Sequence, residues 1–196
     1  MLCEGCPSKG ETLKKKGALL GDSIRLFGYG KVVPSLLKGK ATVFQPKENC
    51  KFSKNMMRMI FDLQSELKDC DVIHFNCGLW DVANIVGDGK LFSSDEEYKQ
   101  NVLRIAKMLL AFTKNVIFAT TTPVKPEHPH NKNEDILRFN ALVVPELQAM
   151  GIEINDLHSL VAEDVAGNIC DDYIHLTKLG AERCGKQVAA VIEAKL

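Results

Sequence analysis

The chain lacks a net charge. Its 196 residues carry 25 Lys and Arg against 25 Asp and Glu, so no broad field of one sign draws it to nucleic acid or to an anionic membrane. Its one basic run, Lys14-Lys15-Lys16, directly precedes an apolar segment and reads as solvation of a strand's entry. No apolar stretch approaches the ~18 residues that a membrane span requires, and the N-terminus lacks the apolar centre of a secretory signal. These absences lead to the expectation of a cytoplasmic protein. Cysteines at 3, 6, 50, 70, 77, 170 and 184 are odd in number and lack the dense spacing of a disulfide scaffold, so reduced thiols are expected. Cys3-Glu4-Gly5-Cys6 has no second pair at zinc-site spacing, and His128-Pro129-His130 reads as a solvated loop. No metal and no other cofactor is therefore expected.

What is present suits one well-cored domain over residues 1–196, with 1–15 as an N-terminal extension: 45% of the chain is hydrophobic and no internal repeat is visible. Apolar runs at Gly17–Leu20, Ala41–Phe44, Asp71–Asn76, Asn115–Thr120 and Ile152–Asp156 read as five strands. Between them, Ile24 to Lys40 reads as a short helix and turn, and a helix opening at Ser53 carries Met56, Ile60, Leu63 and Leu67 on one face. Ser94-Asp95-Glu96-Glu97 has the form of a capping box before a long helix. A helix from about Glu134 is expected to kink or break near Val144, ahead of Pro145, and to end at Gly151. Thr177 caps the last helix. Five strands alternating with helices predict a three-layer α/β/α domain with a parallel sheet in the flavodoxin-like order 2-1-3-4-5. Such an order reverses direction between strands one and three and opens a crevice at their carboxyl ends.

Gly21-Asp22-Ser23 lies at that crevice, where the first apolar run stops. A serine on a sharp turn into a helix has unpaired N–H groups beside it that favour negative charge, which suits a nucleophile. The tripeptide alone is also ordinary turn chemistry. Asp172-Tyr173-Ile174-His175 adds a carboxylate and an imidazole three residues apart, completing the inventory of a Ser-His-Asp triad. The third strand runs into Asn76-Cys77-Gly78-Leu79-Trp80-Asp81 at the same crevice. His74 within that strand reads as a core histidine, Asp22 and Asp81 as caps or loop braces, and Trp80 as a hydrophobic anchor or pocket wall.

These residues resemble the SGNH (GDSL-type) hydrolases, over most of the chain from Gly17 onward. Gly21-Asp22-Ser23 is similar to the family's nucleophile motif, and Asp172-x-x-His175, followed by Leu176-Thr177 and Gly180, to its final motif. Asp71 to Asp81 aligns with a third-strand motif that normally ends Gly-x-Asn-Asp, but here Trp80 stands for the asparagine. The family's oxyanion glycine falls in Glu48–Lys51, where Cys50 stands for it. The resemblance implies a carboxylic ester hydrolase working through an acyl-enzyme: Ser23 as nucleophile, His175 as general base and acid, Asp172 orienting the imidazole. It implies an oxyanion hole from the N–H of Ser23, the N–H of Cys50 and one side-chain donor, for which Asn76 is preferred to the Trp80 indole. Asn49, Gly78 and Trp80 are the expected substrate-binding residues. The expected partner is a small-molecule ester, with a short acyl group such as acetyl on a carbohydrate-like or other small alcohol. Two other readings stay open: an SGNH-fold protein of weak or no activity that binds a carbohydrate or protein, motivated by the missing asparagine, and a flavodoxin-like nucleotide or receiver module. Against the second, Gly28-Tyr29-Gly30 lacks the rest of a dinucleotide fingerprint.

Overall fold

The computed structural model describes residues 15–196; Cys3, Cys6 and the extension before Lys15 lie outside the described residues. Five parallel strands form one sheet in the order β2-β1-β3-β4-β5. They are β1 (Lys15–Leu20), β2 (Ala41–Phe44), β3 (Val72–Phe75), β4 (Val116–Ala119) and β5 (Glu153–Asn155). β3 and β4 are buried along their whole length, as expected for central strands covered on both faces. The lysine run does not stop short of the sheet. Lys15 and Lys16 belong to β1, where Lys15 pairs with Asp71 at 2.9 Å and Lys16 Nζ donates to the Glu66 carbonyl at 2.5 Å.

Between β1 and β2 the chain makes a π-turn over Ile24–Gly28, a 3-10 turn over Tyr29–Lys31 and the short helix α1 (Val33–Leu36). The helix expected to continue from Ser53 through Leu67 is divided into α2 (Ser53–Asp62) and α3 (Gln64–Leu67), because Leu63 leaves helical backbone angles. α4 (Asp95–Leu110) is capped by Ser94, whose hydroxyl accepts from the Glu97 N–H; the Glu97 carboxylate pairs with Lys54 instead of closing a reciprocal box.

The expected break before Pro145 does not occur: α5 (Asn133–Ala149) runs through it. Ala141 and Pro145 are both exposed while Val143 and Leu147 are buried. The carbonyl that proline leaves unpaired four residues back therefore faces water, where it is solvated. Gly151 ends the turn with φ +79°. α6 (Leu157–Ala162), α7 (Val165–Asn168) and α8 (Lys178–Glu193) complete the chain, with Thr177 Oγ1 accepting from the Gly180 N–H at the start of α8. α2, α4 and α5 pack side by side, while α1, α6 and α7 pack on α8. Among the described residues no helix is long and apolar enough to cross a membrane, and five cysteines are free thiols.

Candidate active site

The sharp turn after β1 is held by a buried polar network. Asp22 Oδ1 accepts from the Ile24 N–H at 2.9 Å and from Asn76 Nδ2 at 2.9 Å, and Asn76 Oδ1 accepts from the Tyr29 hydroxyl at 2.6 Å. Glycine is required at 21 because a Cβ there would collide with the Asn76 amide and the Arg25 side chain. Arg25 is fully buried. It donates to the carbonyls of Pro46 at 2.8 Å, Glu48 at 2.7 Å and Gly21 at 3.2 Å, stapling the loop after β2 to the turn. Burial pushes the Asp22 carboxyl up to about 6, against the opposing pull of Asn76, the Ile24 N–H and the Arg25 charge. Its Oδ2 has no partner.

That network changes two expected roles. The Cys50 N–H already donates to the Gly21 carbonyl at 3.1 Å, and Cys50 Sγ accepts from the Gly21 N–H at 3.3 Å. Cys50 thus latches two loops together, and its N–H is not available to an oxyanion. Asn76, 5% exposed, has its amide committed to Asp22 and Tyr29, which makes it a brace under the Gly21-Asp22-Ser23 turn and not the free donor expected of it. The Ser23 N–H and hydroxyl, by contrast, make no hydrogen bond among the described residues.

Asp172 and His175 meet as their spacing suggests. Asp172 Oδ2 lies 2.7 Å from His175 Nδ1, and Asp172 Oδ1 accepts from the backbone N–H of His175 at 3.0 Å and of Ile174 at 3.2 Å. Tyr173 adopts φ +70° between them, the bend that folds the carboxylate back onto its own loop. Burial works against ionisation, but these hydrogen bonds outweigh it and hold the Asp172 carboxyl below the usual range. The carboxylate receives the Nδ1 proton, so the imidazole presents Nε2 outward. Phe27 sets an edge against the ring, with centroids 5.8 Å apart.

No family model and no curated protein matches the sequence. Solved structures do. A lipase/acylhydrolase from Enterococcus faecalis superposes with a TM-score of 0.78 at 16% identity, covering 93% of this chain and 97% of that one. A GDSL-like lipase from Bacteroides thetaiotaomicron follows at 0.74 and 16%, covering 93% and 89%. An acetylxylan esterase from Geobacillus stearothermophilus gives 0.75 and 14%, covering 91% and 94%. The fold is that of the SGNH hydrolases.

On this SGNH fold the loop after β3 closes the site's second wall. Gly78, at φ +145°, is buried where a Cβ would strike the Thr121 hydroxyl, so it serves the path of the loop and does not line the cavity beside Ser23. Asp81 is a brace, as expected. Its carboxylate accepts from the Ser53 N–H at 3.0 Å, the Ser53 hydroxyl at 2.6 Å and the Ser93 hydroxyl at 2.8 Å, tying the loop to the start of α2. Trp80, Leu79, Ala83 and Ile174 line a cavity of about 160 Å³ with Ser23 and His128. Asn49 lies outside it, in a separate depression with Lys51 and Asn55, where its Oδ1 accepts from the Lys51 N–H at 2.7 Å.

Sequence reading missed Arg25 and Tyr29, whose roles depend on loops brought together only by the sheet. The signal for Arg25 was a charged residue one helical turn after Gly21, between the apolar Ile24 and Leu26. His74 is buried as expected but only half satisfied: Nε2 lies 3.1 Å from Asn155 Nδ2, while Nδ1 has no partner.

Proposed function

We propose that the protein is a serine esterase that uses Ser23, His175 and Asp172 to hydrolyse a carboxylic ester. The observation that carries this reading is the 2.7 Å Asp172–His175 pair beside a cavity into which Ser23 opens. The structural neighbours described as lipase/acylhydrolase and acetylxylan esterase support it. Ser23 Oγ attacks the ester carbonyl carbon as His175 Nε2 takes its proton. The C–O bond to the alcohol then breaks and the alcohol leaves with that proton, forming an acyl-serine. Water, deprotonated by the same imidazole, attacks the acyl carbon, releasing the carboxylic acid and restoring Ser23. The Ser23 N–H is the backbone donor for the oxyanion, while the Asn76 amide is committed to the turn and Trp80 walls the acyl pocket.

A cavity of about 160 Å³ walled by Leu79, Trp80, Ala83 and Ile174 suits a short acyl group such as acetyl. The alcohol is a carbohydrate-like or other small one. Ser23→Ala is expected to lower kcat by ~10⁴-fold or more on a nitrophenyl ester and to abolish labelling by a serine-reactive phosphonate. Retention of a tenth of the activity on every hydrolysed ester overturns the nucleophile assignment.

A further inference from the structure

Resting on that reading, we infer that His128 and His130 form a donor–acceptor pair that recognises hydroxyl groups on the alcohol side of the ester, so the substrate class is an ester of a polyhydroxylated alcohol. The two rings sit in the loop between β4 and α5 with centroids 6.1 Å apart. The backbone holds them in opposite tautomers. His128 Nδ1 accepts from the N–H of Asn131 at 3.0 Å and of His130 at 3.3 Å, so the proton of the neutral ring sits on Nε2. His130 Nδ1 lies 3.1 Å from the Asn84 carbonyl, which can only accept, so the His130 proton sits on Nδ1 and its Nε2 offers a lone pair. One ring thus presents a donor and its neighbour an acceptor, the complement of a hydroxyl group, which is both.

Their position gives this pair a ligand to read. Both rings line the small apolar cavity that holds Ser23, and both also line a neighbouring groove of about 580 Å³. That groove is polar, bordered by Asn84, Lys132, Asn133 and Glu134. An ester whose short acyl chain fills the cavity against Leu79 and Trp80 can extend its alcohol across the histidine ridge into the larger polar groove, which shares His128, His130 and Asn131 with the cavity. Ile174, the chain neighbour of His175, lines the same cavity as His128 and His130, so the ridge and the imidazole border one space. Burial, with the neighbouring His130 adding to it, holds the His128 imidazole below the usual range, so the ring stays neutral and keeps its lone pair for the loop.

The test separates bracing from recognition. In His128→Asn the shorter amide oxygen can still accept from the His130 and Asn131 N–H groups while the Nε2–H is lost; in His128→Gln the longer amide restores a donor at the Nε2 position. Kinetics on a monoacetylated monosaccharide and on butyl acetate are compared for both variants and the wild type. We expect His128→Asn to lower kcat/KM on the sugar ester by about 10-fold or more beyond any loss on butyl acetate, mostly through KM, and His128→Gln to recover most of it. Equal losses on both esters, or full activity in His128→Asn with loss in His128→Gln, make His128 a loop brace and overturn the inference. A wild type that cleaves butyl acetate but not the sugar ester also overturns it and leaves the esterase reading intact. A wild type that cleaves neither ester and resists phosphonate labelling overturns the esterase reading. In every case ¹⁵N imidazole spectra decide the pair independently: the expected result is Nε2–H on His128, Nδ1–H on His130, and shifts of both on titration with a methyl glycoside. Any other tautomer pair, or no shift, overturns the inference.

Discussion

The floor and the rim of the site handle polar atoms in opposite ways. Beneath Ser23, Asp22, Arg25, Tyr29 and Asn76 are buried and bonded mainly to one another or to backbone. At the rim, Asp172 and His175 have half-exposed side chains, and His128 and His130 each keep one ring nitrogen without a partner among the described residues. Residue types usually associated with chemistry are more plentiful in the floor. A buried polar group must be satisfied by the protein or it costs stability, so the floor's groups are committed to holding the turn, and reactivity is left to groups that water or a substrate can reach. Cys50 and Asn76 fall on the floor side of that division for this reason.

Removing a rim group should erase activity without touching stability. His175→Gln is expected to lower kcat/KM by ~10⁴-fold on any hydrolysed ester while urea denaturation stays within ~0.5 kcal/mol of wild type. A denaturation midpoint that moves with the activity would place His175 in the floor's class. Arg25→Met asks the converse. It leaves the carbonyls of Gly21, Pro46 and Glu48 without their donor, and a loss of ~3 kcal/mol or more in urea unfolding is expected; a variant of wild-type stability would show that the staple is dispensable.

Two buried floor groups titrate with opposite signs. Burial drives His74 down to about 3, so the stability that comes from its neutrality is complete above the ordinary histidine value of 6.5 and is lost as pH falls toward 3. Asp22 is raised from 3.8 to about 6, so its contribution is complete below 3.8 and is lost as pH rises to 6. Between pH 4 and 6 the two slopes, each ~1.4 kcal/mol per pH unit, oppose each other. Asp22→Asn should expose the His74 slope, its stability rising with pH by up to ~3 kcal/mol more than wild type across that window. Parallel pH profiles for the two proteins would remove Asp22 from the account.

Tyr29→Phe takes one hydrogen bond from Asn76 Oδ1 and leaves that oxygen buried, for an expected loss of ~1–2 kcal/mol with triad chemistry retained. No change in stability would mean that water replaces the hydroxyl. The smallest effect is expected at the wall. Trp80→Phe keeps the ring and removes the indole N–H, so kcat should stay within about tenfold while the preference among acyl groups shifts; a collapse of kcat would make the indole an indispensable oxyanion donor.

The five strands and the Asp172–His175 pair were legible because both follow local patterns. Continuous apolar runs mark central strands, and a three-residue spacing is short enough to close within one loop. Gly21-Asp22-Ser23 was legible as a turn at the end of β1, since topology alone assigns that end to the crevice. The division of α2 from α3 and the uninterrupted path of α5 through Pro145 were not, because each turns on the backbone of one residue and on which face meets water.

Periodicity, turn chemistry and the reversal of strand order thus sufficed to name the layers, the crevice and three residues at its mouth. The commitments of Cys50, Asn76, Arg25 and Tyr29 were settled only when loops from β1, β2 and β3 came within hydrogen-bond distance, because a donor is free or bound according to neighbours that lie 23 to 54 positions away in the chain. The same holds for His128 and His130. Their residue type promises either a donor or an acceptor, and the role of the remaining nitrogen is decided by the carbonyl or N–H that the fold sets against Nδ1.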